Sequence, residues 1–85
     1  MELQEQFENA IADSKNLPAK PDNEILLQLY SLYKQGSEGD ITTEAPSNPF
    51  DFVGKAKYDA WASLKGKAKE DAMGEYVALV EKLKK

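Results

Sequence analysis

The sequence predicts an all-α protein, a small bundle of four helices. Three observations lead there. Apolar residues recur at three- and four-residue spacing in four separate stretches. No run alternates at period two for long enough to make a strand. The helical stretches are divided by segments carrying proline and glycine. At 85 residues the chain is expected to form one domain spanning residues 1–85, its core thin but sufficient without staples.

The first segment runs from about Glu2 to Lys15, where Leu3, Phe7, Ala10, Ile11 and Ser14 form a narrow stripe between acids. Leu17-Pro18-Ala19-Lys20-Pro21 breaks it, because proline cannot continue a helix and restricts the residue before it. The second segment starts behind Asp22, a suitable N-cap, and is expected to reach about Gly36. Residues 37–50, with Gly39, Pro46 and Pro49, read as one long loop. The third segment spans roughly Phe52 to Leu64, capped by Asp51 and stopped by Gly66. The fourth covers about Ala68 to Lys84. Its stripe is Met73, Tyr76, Val77, Val80 and Leu83, with Lys82, Lys84 and Lys85 at the favourable end of the helix dipole.

Composition excludes much chemistry. The chain has no cysteine and no histidine, which removes disulfides, thiol nucleophiles, imidazole acid–base work and the usual zinc sites. No paired carboxylates or nucleophile–base pair emerge from the spacing, so neither an enzyme nor a metal site is expected. No apolar run approaches a membrane span, and the acidic start is unlike a targeting peptide, so the expected location is cytoplasmic. A net charge of −4 argues against nucleic-acid binding. The charge is nevertheless uneven. Residues 1–51 carry ten acids and three lysines, whereas residues 52–85 carry five acids and eight lysines. Lys55, Lys57, Lys65, Lys67 and Lys69 fall close together with Asp59 as the one acid among them, either a solvated face or a local field for an anion.

The second segment holds more apolar surface than one core-facing stripe needs. Seven of the nine residues from Ile25 to Tyr33 are apolar or aromatic. At about 100° per residue, Ile25, Leu29 and Leu32 make a core stripe, and Tyr33, Leu26, Tyr30, Lys34 and Leu27 follow around the adjoining surface. A central helix buried on two sides would give the same pattern. So would a face gripping a partner helix. The mixture of phenols, leucines and an ammonium also suits a ligand that is part aromatic, part anionic and part aliphatic. Lys55 and Lys57 point to different sides of their helix. Lys55 lies four residues before Asp59 and is placed to pair with it, and Lys57 is the one expected to face a site. Trp61 reads as core.

At these residues the chain resembles the acyl-CoA-binding protein family over nearly its whole length. The resemblance rests on Tyr30-Ser31-Leu32-Tyr33-Lys34-Gln35, then Gly39-Asp40 and Pro46. It continues through Gly54-Lys55-Ala56-Lys57-Tyr58-Asp59-Ala60-Trp61, Leu64-Lys65-Gly66 and Lys69-Glu70-Asp71-Ala72-Met73, with Tyr76 three further on. Phe7, Ala10, Lys15, Leu17 and Pro21 also look like the family's first helix and turn. Val53 stands where many members carry a lysine that touches the ligand. Ala45 replaces a common arginine, Ser47-Asn48-Pro49-Phe50 is one residue longer than usual, and Ala68 replaces a common serine near the start of the fourth helix.

The resemblance implies an up-down-down-up four-helix bundle that binds long-chain acyl-CoA thioesters without chemistry, as an intracellular carrier and pool former. By that analogy Tyr30, Lys34 and Lys57 hold the ribose 3′-phosphate and Tyr33 stacks on adenine. Lys15 and Tyr76 make further ligand contacts, and Leu26 and Leu27 border the acyl chain. The expected state is a monomer with no cofactor and no metal, in transient contact with acyl-CoA-using enzymes and membranes.

Overall fold

Aspartates start two of the four helices in the computed structural model, which describes residues 2–42 and 44–84. The helices are α1 (Leu3–Ser14), α2 (Asn23–Glu38), α3 (Phe52–Ala62) and α4 (Lys69–Leu83). Asp22 accepts a hydrogen bond from the Ile25 backbone N–H at 3.0 Å, and Asp51 accepts one from the Gly54 N–H at 2.9 Å. Each bond satisfies a donor that the first helical turn leaves unpaired. Ala68, at the N-cap of α4, supplies no such bond. No strand occurs among the described residues.

Two boundaries differ from the sequence expectation. The second helix does not stop at Gly36 but runs two residues further, to Glu38. Gly36 is instead a place of close approach, where a Cβ would lie 3.1 Å from Phe7 Cζ and 3.2 Å from Met73 Cγ. The stop is Gly39, whose φ of +84° suits a residue without a Cβ. The third helix ends at Ala62, short of Leu64, and the chain turns through residues 63–66 before α4.

Helix α4 packs on α1 and α2, and α3 packs on α2. The core is built from Phe7, Ala10, Leu29, Leu32, Ala72, Tyr76 and Val80, with Ile11, Ile25 and Leu64 partly buried against it. At the ends of the bundle, the Lys84 ammonium reaches Asp13 at 3.1 Å and joins α4 to α1. The buried side of α2 is wider than its apolar stripe, because Ser31 and Gln35 are buried too. Ser31 donates back to the Gln28 carbonyl, so its hydroxyl is satisfied within the helix.

Gln35 belongs to a polar corner that fixes where α2 ends. Its Nε2 donates to Asp40 Oδ1 at 2.8 Å and to the Lys67 carbonyl at 2.7 Å. The Gly66 N–H donates to the same Asp40 oxygen at 2.8 Å. Trp61 Nε1 donates to the Gly39 carbonyl at 2.9 Å. Trp61 is buried, as expected, but it packs beneath the loop and outside the main apolar cluster.

The Gly66 N–H, the Gln35 amide and nearby Lys65 together hold the Asp40 carboxyl below its ordinary 3.8. A carboxylate depressed in the folded state contributes stability above its unfolded pKa, and that contribution is lost as pH falls through the folded value. In urea denaturation, Asp40→Asn is therefore expected to be less stable than the wild type at neutral pH. The gap should close progressively as the pH drops below 3.8. A gap that does not change with pH would show that Asp40 acts by shape alone.

Candidate functional site

The outward face of α2 is open. Leu26 is 36% and Tyr33 39% exposed, with Leu27, Tyr30 and Lys34 half-buried beside them. Helix α2 is packed on two sides, by α4 at Leu29 and Leu32 and by α3 on the other, yet an open groove remains between α2 and α3. The groove has a volume of about 340 Å³ and is lined by Asn23, Leu26, Leu27, Phe52, Val53, Ala56 and Lys57. Its wall is almost wholly apolar, with the Lys57 side chain at its edge.

Two further cavities adjoin Tyr30. One, of about 280 Å³, lies between Ile11, Lys15, Leu29, Tyr30, Tyr33 and Tyr76. The other, of about 170 Å³, lies between Tyr30, Trp61, Tyr58, Gly54 and the loop residues Ile41, Glu44 and Pro46. Tyr30 is thus shared, and the ammonium groups sit around it. Lys57 Nζ lies 5.3 Å from the Tyr30 ring centroid, and Lys34 Nζ lies 5.0 Å from the Trp61 ring centroid. Both contacts are within cation–π range, which holds the charges against aromatic faces.

The predicted residues therefore fall into three neighbouring groups. Lys15, Tyr30, Tyr33 and Tyr76 line one cavity, Leu26, Leu27 and Lys57 line the groove, and Lys34 borders the Trp61 side. Tyr33 stacks on Phe7 at 6.3 Å between centroids, which fixes its ring on the rim. Tyr76 is more enclosed than a contact residue need be. Its ring meets Phe7 edge-on, its hydroxyl donates to Ser14 Oγ at 3.1 Å, and burial pushes its phenol up from the ordinary 10.0.

The lysines differ in availability. Lys34 is paired with Glu38, which holds its ammonium above the usual 10.5 despite some desolvation. Lys67 is paired with Glu75. Among the described residues Lys55 and Asp59 form no ion pair, contrary to the expectation from their spacing, and Lys57 has no carboxylate partner. An i,i+4 pair between exposed side chains is worth only a few tenths of a kcal/mol, too little to hold two mobile chains together.

The sequence reading missed Phe52 and Ala56 as groove residues. Their four-residue spacing on α3 was the available signal. Val53, noted as the loss of a cation, is part of the apolar wall. Together Phe50, Phe52 and Val53 are 80%, 73% and 67% exposed, so the groove opens onto a strongly apolar rim. No group of three metal-ligating side chains is present among the described residues, and none of their helices is long and apolar enough to cross a membrane.

Fold and site define a small four-helix bundle with an open apolar groove beside ring-backed ammonium groups. The chain belongs to the acyl-CoA binding protein family, whose family model matches residues 4–80. It is 53% identical over 77 residues to acyl-CoA-binding protein homolog 1 of Caenorhabditis elegans, covering 91% of this chain and 88% of that one. It is 45% identical over 83 residues to an acyl-CoA-binding protein of Gossypium hirsutum, covering 98% and 92%. The crystal structure of acyl-CoA-binding protein 2 of Oryza sativa superposes with a TM-score of 0.90 at 43% identity, over 96% of this chain and 90% of the other.

Proposed function

We propose that residues 1–85 form a single domain that binds long-chain fatty acyl-CoA thioesters non-covalently and carries them as a monomer in the cytoplasm. The observation that carries this is the uncovered face of α2. An apolar groove at Leu26 and Leu27 runs beside the Tyr30 ring and the Lys57 ammonium. A ligand with an oily tail and a phosphorylated aromatic head matches that order of surfaces. The tail lies along Leu26 and Leu27. Lys34, Lys57 and Tyr30 take the 3′-phosphate, Tyr33 stacks on adenine, and Lys15 and Tyr76 border the head from the opposite side. Every cation is a lysine, so the phosphate is met by point charges rather than by bidentate forks.

We assign the chain no reaction. Binding is the chemistry we assign to it, and its consequence is protection and buffering of the thioester. Transient contacts with acyl-CoA-using enzymes and with membranes follow from delivery.

Calorimetric titration with palmitoyl-CoA tests the reading. Lys57→Ala removes a charge-assisted hydrogen bond worth about 1.5–3 kcal/mol, a loss of roughly tenfold or more in affinity. Tyr33→Ala removes a stacking partner worth about 1–3 kcal/mol. Unchanged affinity in both variants would remove the head-group assignment. Native mass spectrometry of protein purified from cells should show bound acyl-CoA, and a co-purifying protein in its place would favour the partner-helix alternative.

A further inference from the structure

Glu38 has no place in the account of folding or of the groove. It is the last residue of α2, where the dipole is negative and an acid is unfavourable. Its pair with Lys34 also runs in the poorer direction, with the lysine N-terminal to the acid. Helix stability therefore does not explain a glutamate at this position. What it does is neutralise Lys34. The ammonium lies between the Trp61 ring and the Glu38 carboxylate.

The backbone just beyond Glu38 is held in place. It is followed by Gly39, whose carbonyl takes the Trp61 indole N–H, and by Asp40, tied to Gln35 and Gly66. The corner that ends α2 thus keeps an anion within reach of Lys34, and the carboxylate itself is exposed and free to swing out. We infer that Glu38 is an internal counter-anion that occupies Lys34 and must be displaced by the incoming phosphate. It sets the affinity of the head-group site by acting through Lys34. This rests on the reading of Lys34 as a phosphate ligand given above.

The consequence is selectivity for charge. A phosphate near neutral pH carries almost two charges and three strong acceptor oxygens, whereas a fatty carboxylate carries one charge. The first outcompetes Glu38 for the ammonium, and the second meets an equal. Lys57, with no carboxylate partner among the described residues, lacks this filter.

The test is a double-mutant cycle read by calorimetry with palmitoyl-CoA at low and at physiological ionic strength. Glu38→Gln is expected to bind about twofold more tightly than the wild type, the span of an exposed i,i+4 ion pair, with the larger gain at low salt. In a Lys34→Ala background the same substitution should bring no gain, since the competition is then absent. The thermal midpoint of Glu38→Gln should equal or exceed that of the wild type, which separates this role from a structural one. An unchanged or weakened affinity in Glu38→Gln, while Lys34→Ala still weakens binding, would overturn the inference and leave the site reading intact. An equal gain in both backgrounds would overturn it as well, as a diffuse charge effect. Loss of nothing in Lys34→Ala would remove Lys34 from the phosphate site, and the inference with it.

Discussion

Affinity should climb steeply with acyl length, by orders of magnitude between acetyl-CoA and palmitoyl-CoA. The groove on α2 and α3 is apolar along Leu26, Leu27, Phe52, Val53 and Ala56, and nothing in it hydrogen-bonds a hydrocarbon. Each methylene taken fully out of water contributes about 0.8 kcal/mol, so two contribute about 1.6 kcal/mol, a little over tenfold. An open groove covers only part of a chain's circumference, and the observed step per two carbons should lie between about fourfold and that limit. The rise should flatten once the chain passes the exposed rim at Phe52 and Val53. Free CoA should bind weakly, because its head brings orientation and charge but no tail. A graded calorimetric series measures this directly, and equal affinity for acetyl- and palmitoyl-CoA would defeat it.

Phe7→Ala should be the most damaging single substitution to the fold. Phe7 is 2% exposed, meets the Tyr76 ring edge-on at 5.3 Å, stacks on Tyr33 and presses against Gly36. Truncating a buried phenylalanine costs about 3–5 kcal/mol, because the transfer energy is lost and the cavity does not fully collapse. A chain of this size has a total stability of only about 4–13 kcal/mol, so the loss is a large share of it. Thermal unfolding should shift down by at least about 12 °C, and Phe7→Leu by much less. The cost also reaches the site, since Tyr33 loses the ring that fixes it on the rim. A destabilisation below about 1 kcal/mol would mean that the three rings do not form one packed unit.

Much of the fold was legible because its causes are local. Asp22 and Asp51 cap the helices they were expected to cap, since a short acceptor before a helical run satisfies N–H groups a few residues away. The two faces of α2 were legible from angles, since apolar residues beyond one stripe must line a second surface. Where burial depended on partners distant in sequence, the pattern was silent. Ser31 and Gln35 are polar, and only the bonds made by Gln35 to Asp40 and Lys67 explain why it can be buried. Gly36 looked like a helix end because glycine often is one. Its use as a contact point for Phe7 and Met73 exists only after α1 and α4 have docked.

The candidate site divides in the same way. Residue types and helical spacing, together with the family resemblance, singled out Lys15, Leu26, Leu27, Tyr30, Tyr33, Lys34, Lys57 and Tyr76. By itself the sequence determined four helices, the capped starts of the second and third, and an excess of apolar surface on the second. Tertiary structure decided that this surface stays uncovered beside α3, that Phe52 and Val53 extend it, and that Lys34 lies between Trp61 and Glu38 while Lys57 rests on Tyr30. The physical reason is range. Caps and stripes are set by neighbours within a turn or two, but an open groove and a charge's partner depend on how separate helices come to lie against one another.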